Sequence, residues 1–376
     1  RELYERRSVI EGKDVYNCND SNINSKDAKN LCSLGKKGQG FGEGGFYYTQ
    51  EPSDIAKSVK SFIEEVGSTE IESISTGTMS VPLDSLGGLE SRQFAYLPIL
   101  EPVPGSSHLW NGNLKKYKVR NSTLLGGDNN FVFSNNSGLF ATNTYDLWNT
   151  IAASQPDRGL PQVGGAYQKV FENTVATTSG SRNLFIDNGS SLVNLKVTAD
   201  KKPQNFDTLT TANGYTNPKK IALLNFMGYG ESTSTTVTDG TAITASLNTD
   251  LKNVGGVLHS IPQLITNKVA VDATGKFDTS QRQDYVIYGS MDGALHMLDD
   301  STGKEVFTFV PKQILDLQPK ALAGNGTAED GNYPYGVDAP WLTYASYTTK
   351  SNTTGTGDAA TTTNTFEAEQ SFALGG

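Results

Sequence analysis

Residues 284–311, DYVIYGSMDGALHMLDDSTGKEVFTFVP, limit what this chain can fold into more than any other stretch. Tyr285 and Ile287, then Leu295 and Met297, alternate with polar or small residues, the period-2 pattern of half-buried strands. Between them, Met291-Asp292-Gly293 supplies a turn in which the glycine tolerates positive φ. Asp299-Asp300-Ser301-Thr302-Gly303 repeats the device ahead of Val306-Phe307-Thr308-Phe309-Val310. The spacing predicts consecutive antiparallel strands over 284–310 and no helix within them.

The same hairpin grammar recurs upstream. Residues 94–100 read as a strand, with Pro98 marking an edge or a bulge. Residues 115–119 alternate clearly, and Lys115-Lys116-Tyr117-Lys118 with Arg120 reads as a solvated basic edge whose lysines block strand addition. Residues 131–133 and 138–141 flank a Ser-Asn-Asn-Ser turn, and 182–186 and 191–193 flank Asp187-Asn188-Gly189. Residues 221–226 are a short buried helix or strand, which periodicity leaves open. Helix signals are otherwise sparse from Phe94 onward. A mainly β fold follows. At ~40–50 residues per blade, 94–376 fits a β-propeller and could hold about six blades. Fewer clear strand sets are visible, so the blades carry large insertions or the ring continues past Gly376. Residues 350–365, KSNTTGTGDAATTTNT, carry too little apolar surface for a core and read as a long surface loop, a candidate contact surface.

Residues 1–67 differ in character. Cys18 and Cys32, the only cysteines, lie in a polar, Asn-rich segment. They read as a disulfide of an oxidising compartment or as two unpaired surface thiols. A short strand at 46–49 precedes Pro52-Ser53-Asp54, a helix start, after which Ile55, Val59, Phe62, Ile63 and Val66 form one apolar stripe. One strand and one helix cannot make a core alone, so residues 1–72 look like the tail of an α/β domain. Residues 73–93 read as a linker.

With 39 Gly in 376 residues, 19% charged residues, a net charge of −9 and a pI near 5.0, the chain has the composition of a loop-rich, exported β protein and is a poor non-specific nucleic-acid binder. No run approaches the ~18 apolar residues of a membrane helix. The chain begins at Arg1 with no signal segment, which fits a mature or excised fragment. Of three histidines, His259 and His296 sit in strand motifs as packing or hydrogen-bonding residues, and His108 lies in a Pro/Gly/Ser loop. Trp110, Trp148 and Trp341 read as core or closure residues. No nucleophile elbow, P-loop, dinucleotide fingerprint or zinc-protease helix occurs. Catalytic, cofactor-binding and metal residues are therefore not expected in this span.

Several phrases together resemble the PilY/PilC family of type IV pilus tip-associated adhesins and biogenesis proteins. Tyr96 to Pro102 leads into Trp110-Asn111-Gly112-Asn113-Leu114-Lys115-Lys116-Tyr117, similar to that family's W-x-G-N-L-K-x-Y. Arg182 to Asp187 follows. Gly255-Gly256-Val257-Leu258-His259-Ser260-Ile261-Pro262 resembles G-D-x-x-H-S-x-P, with Gly256 in place of the Asp. The phrase with Asp292, Gly293, His296 and Gly303, ending in Phe309-Val310-Pro311, also resembles the repeat of quinoprotein propellers. The resemblance spans most of residues 94–337. It implies a quinoprotein-like propeller after a von Willebrand factor A-like domain, minor pilins as partners, host or abiotic surface ligands, and a place at the pilus tip, cell surface or outer membrane. It implies roles in pilus biogenesis, twitching motility and adhesion without catalysis. The alternative is a quinoprotein-like enzyme or a periplasmic assembly scaffold. The D-x-S-x-S adhesion motif is missing here, because Asn22 stands where Ser is required after Asp20. The calcium loop that the family implies is also missing: Asp239-Gly240 and Asp330-Gly331 are isolated, so any calcium site is expected outside this span.

Overall fold

The computed structural model describes residues 7–10, 13–16, 78–84, 86, 92–101, 111–134, 139–150, 156–157, 159–170, 182–232, 234–246, 254–317, 319–322, 336–355 and 360–375. The chain divides into two compact units, Arg1–Ile71 and Glu72–Gly376. In the first, β1 (Arg7–Ile10) and β2 (Lys13–Tyr16) form an antiparallel hairpin, with Arg7 opposite Tyr16. Cys18, Cys32, the strand expected at 46–49 and the helix expected at 54–66 lie outside the described residues.

The second unit is mainly β and, among the described residues, holds two sheets. Three strands, β3 (Phe94–Glu101), β4 (Asn111–Arg120) and β5 (Thr123–Leu125), form an antiparallel meander. β3 is buried on both faces because its alternate residues enter different cores. Phe94 and Tyr96 pack with Leu114, Trp148, Leu264, Val286, Tyr288 and Leu298, whereas Ala95, Leu97 and Ile99 pack with Tyr117, Leu124 and Val132.

The second sheet is built from β6 (Leu184–Asp187), β7 (Leu192–Val197), β8 (Pro203–Gln204), β9 (Gln263–Val271), β10 (Phe277–Gly289), β11 (Leu295–Asp299), β12 (Glu305–Phe309), β13 (Leu342–Thr354) and β14 (Thr361–Leu374). Its strand order is β13-β14-β9-β10-β11-β12-β6-β7-β8. Residues 284–310 form the expected run of β10, β11 and β12, antiparallel throughout, with Tyr288 opposite His296 and His296 opposite Thr308. This run does not stand apart as a separate blade sheet. β12 also pairs in parallel with β6, through Thr308 with Leu184 and Phe309 with Phe185, and β9 pairs with β14. The sheets are open rather than closed on themselves.

Two expectations are corrected. Residues 350–365 are not a long surface loop. Lys350–Thr354 and Thr361–Thr365 belong to the paired strands β13 and β14, with Thr353 opposite Thr362 and Lys350 opposite Thr365. The β-branched threonines that make the segment too polar for a core also favour extended backbone, and the ladder satisfies the peptide groups without burial. Lys115 and Lys116 are not on a solvated edge. β4 is the central strand of its sheet, and the two side chains point to opposite faces, both buried.

Residues 221–226 resolve as helix. After α1 (Gly165–Lys169), helix α2 (Asn217–Phe226) starts with Pro at its first turn and buries Ile221, Leu223, Leu224 and Phe226 against β6 and β7 residues. The helices α3 (Lys312–Leu317) and α4 (Pro319–Leu322) follow β12, and Leu315 and Leu322 join the same core. The residues read as a linker are stitched to the sheets where described. Ser80 bridges Tyr96, its hydroxyl donates to the Pro262 carbonyl at 2.8 Å, and Asp84 meets Arg282 at 2.8 Å.

Candidate functional site

The phrases singled out in the sequence meet at one place, the seam between the three-stranded and nine-stranded sheets. Gly112 approaches the backbone of Gly255 so closely that a Cβ would lie 2.3 Å from the Gly255 carbonyl oxygen. Only glycine fits such an approach. Gly255 in turn abuts Ser290 and Asp292, and Gly303, at φ +73°, lies against the Trp148 ring. Gly293, at φ +102°, closes the β10–β11 turn. Leu114 fills the core at the seam. Trp110 lies outside the described residues, as do His108 and Asp330-Gly331.

Asp300, in the turn after β11, is the electrostatic centre of the seam. Its carboxylate accepts from the Lys116 ammonium at 2.6 Å and from the Tyr96 hydroxyl at 2.5 Å. Its backbone carbonyl accepts from Lys116 at 3.0 Å and from the Trp148 indole at 2.9 Å. Lys116 also stands 3.9 Å from the centre of the Phe94 ring. Burial pulls the Lys116 pKa down and Asp300 pulls it back. Burial, and then the Asp300 charge, pushes the Tyr96 phenol far up. Nothing in the spacing of Tyr96, Lys116, Trp148 and Asp300 links them in sequence.

His296 sits in a second buried chain. Its Nδ1 is 3.2 Å from Glu305 and its Nε2 is 3.3 Å from the Ser290 hydroxyl, while its ring stacks on Tyr288 at 4.9 Å. Arg182 grips Glu305 bidentately at 2.7 and 2.6 Å. Burial would raise the Glu305 pKa, but the Arg182 charge and the His296 hydrogen bond hold it at about 2. Serine, histidine and acid are thus in the order of a nucleophilic triad, yet the Ser290 hydroxyl donates to the Asp292 carboxylate and lies 2.9 Å from the Ala294 carbonyl. Ser290 and His296 are fully buried. Such a chain holds β10, β11 and β12 in register, because Ser290, His296, Glu305 and Arg182 each find a partner on a neighbouring strand or turn.

His259 is exposed, and its Nδ1 lies 3.1 Å from Asp338. The backbone N–H groups of Leu258, His259 and Ser260 donate to the same carboxylate, at 3.0, 2.9 and 3.1 Å. The Ser260 hydroxyl accepts from Gly289 N at 3.0 Å, which fixes the phrase ending at Pro262 to the end of β10. These residues make an anion nest filled by the protein's own aspartate.

On the opposite face of β4, Asn113 accepts from the Tyr167 N–H and donates to the Pro161 and Gly164 carbonyls. Lys115 lies in a pocket with Asp157 at 3.1 Å, Tyr117 and Asp146. Sequence reading missed Asp146, Asp157, Asp300, Asp338 and the Arg182–Glu305 pair as partners, because each contact joins positions far apart in the chain.

Among the described residues there is no group of three or more His, Cys, Asp or Glu able to hold a metal ion. The Asp239 carboxylate is occupied by the N–H groups of Asn205 and Phe206, at 3.0 and 2.7 Å. Among the described residues, no helix is long and apolar enough to cross a membrane. No protein-family model, curated protein or solved structure matches the chain.

Proposed function

We propose that this chain is a scaffold region of a type IV pilus tip-associated protein of the PilY/PilC kind. It acts by binding minor pilins and surface ligands and carries out no catalysis. The observation that supports this reading is that its motif residues are spent on architecture. Gly112, Asp292, His296 and Gly303 hold strands and turns together, and the triad-like serine and histidine are sealed from solvent. In this reading the open sheets belong to a propeller with long insertions, and residues 1–72 end a von Willebrand factor A-like domain. The β13–β14 hairpin is the candidate contact surface. It exposes Leu342 and Tyr344 directly opposite Leu374 and Phe372, an apolar end to an otherwise threonine-rich ribbon.

The test is genetic and biochemical. Deleting the gene should abolish or sharply reduce surface pili and twitching, and the mature protein should appear in the sheared pilus fraction with minor pilins. Normal piliation, twitching and attachment in the deletion strain would overturn the assignment in favour of an assembly scaffold. A cofactor absorbance on adding pyrroloquinoline quinone with calcium would favour the quinoprotein enzyme instead.

A further inference from the structure

The Lys115 pocket contains more chemistry than an ion pair needs. The Lys115 ammonium and the Asp157 carboxylate are both fully buried, with Nζ 3.1 Å from Oδ2. Nζ is aimed by a second hydrogen bond, to the Val163 carbonyl at 2.7 Å. Asp157 Oδ2 accepts from the Asp146 N–H at 2.8 Å and from the Tyr117 hydroxyl at 3.3 Å, whereas Asp157 Oδ1 is buried with no hydrogen-bond partner. The Asp146 carboxylate accepts from Trp148 N at 2.8 Å and Gly165 N at 2.7 Å, and it lies within electrostatic range of both Lys115 and Asp157. We propose that Lys115 and Asp157 condense in the folded chain to an isopeptide bond that clamps β4 to the segment at 157, with Asp146 as the proton carrier.

The step balances without a co-reactant. The Lys115 Nζ lone pair forms a bond to Asp157 Cγ, and the bond from Cγ to Oδ1 breaks. Of the three ammonium protons one stays on the amide nitrogen and two leave with Oδ1 as water. An ion pair of zero net charge thus becomes a neutral amide plus water, with no oxidation or reduction. Oδ2 becomes the amide carbonyl, and the donors already on it stabilise the oxyanion of the tetrahedral intermediate. The dry site favours the product, because desolvating two charges is costly and the amide removes both. Burial also favours the forms that react: it pulls the Lys115 pKa down against the pull of Asp157 and Asp146. For Asp146, burial, opposed by the Lys115 charge and assisted by Asp157, raises the pKa to about 7. Asp146 can therefore take a proton from the amine and hand it to the leaving oxygen near neutral pH.

Intact-mass spectrometry of the purified folded chain tests the bond. The expected mass is about 18 Da below the sequence mass, one water lost, with a branched proteolytic peptide joining residues 115 and 157. Lys115→Arg should restore the full mass, and Asp146→Asn should slow formation roughly a hundredfold, the size of a general acid–base contribution. A full-mass wild-type chain with separate, unbranched peptides would overturn the proposal. So would a mass deficit that survives in Lys115→Arg, which would point to a cyclised Asp-Gly elsewhere. If Asp146→Asn forms the bond as fast as wild type while folded, the proton-carrier role falls.

Discussion

The seam around β4 and the β13–β14 hairpin are both rich in polar side chains, but they use them in opposite ways. Around β4, Lys116 at the seam and Lys115 on the opposite face are removed from water, and each has an aspartate brought from a distant part of the chain. On the hairpin, Lys350 and Lys268 reach Glu367 at 3.0 Å each, at the surface. The exposed pairs are screened and replaceable by water, whereas the buried pairs leave an uncompensated charge if either partner is lost. The same residue types therefore specify a fold in one region and decorate it in the other, and substitution should separate the two.

The largest effect is expected at Asp300. Asp300→Ala strands the Lys116 ammonium and the Tyr96 hydroxyl in the seam, at a cost of about 3–5 kcal/mol in unfolding free energy. Chemical denaturation should show the midpoint falling with it. Adding Lys116→Met should return part of the loss, since the double variant buries no orphan charge. A single variant within ~0.5 kcal/mol of wild type, the range of ordinary surface substitutions, would show that the seam is wet.

Next comes the acid limb of the stability profile. Glu305 is held at about 2 by Arg182 and His296 against the opposing effect of burial, below its ordinary 4.5. Its folded pKa is depressed, so its contribution is fully present above pH ~4.5 and is lost as pH falls from there towards 2. The loss is on the order of 3 kcal/mol. In a pH series of unfolding curves, Glu305→Gln should lack this component of the acid limb, while being less stable at neutral pH because Arg182 then lacks its counter-charge. Parallel acid limbs for the two proteins would show that Glu305 ionises alike in the folded and unfolded chains.

How much of this was legible beforehand follows from the range of each interaction. The run 284–310 was readable because alternation and turn chemistry are local, and its strands and turns lie where the residues predict them. Residues 221–226 were ambiguous because a helix buried all round has no polar face to set a period. The lysines of β4 mislead for a different reason. Charge says "surface" locally, and only the approach of Asp157 and Asp300 makes burial affordable. At the hairpin, low hydrophobicity suggests a loop, although a threonine ladder needs no core to pair its backbone. Of the site, the glycines and histidines were visible in the sequence; the acids that fix them were not.

The smallest effect is expected on the hairpin, and it completes the contrast. The Thr353 and Thr362 hydroxyls lie 2.9 Å apart across the ladder, and both residues are exposed. A cross-strand hydroxyl pair is worth ~0.2–1 kcal/mol at most, and an exposed ion pair such as Lys350 with Glu367 has a similar ceiling. Thr353→Ala with Thr362→Ala should therefore shift the unfolding midpoint barely beyond error. The Lys350→Ala effect should shrink further in high salt, whereas the Asp300→Ala effect should persist there. If the hairpin variants cost as much as Asp300→Ala, the ribbon is carrying the sheet rather than being carried by it. The division between a charge-locked seam and a replaceable polar surface would then have to be redrawn at β9, the strand that joins them.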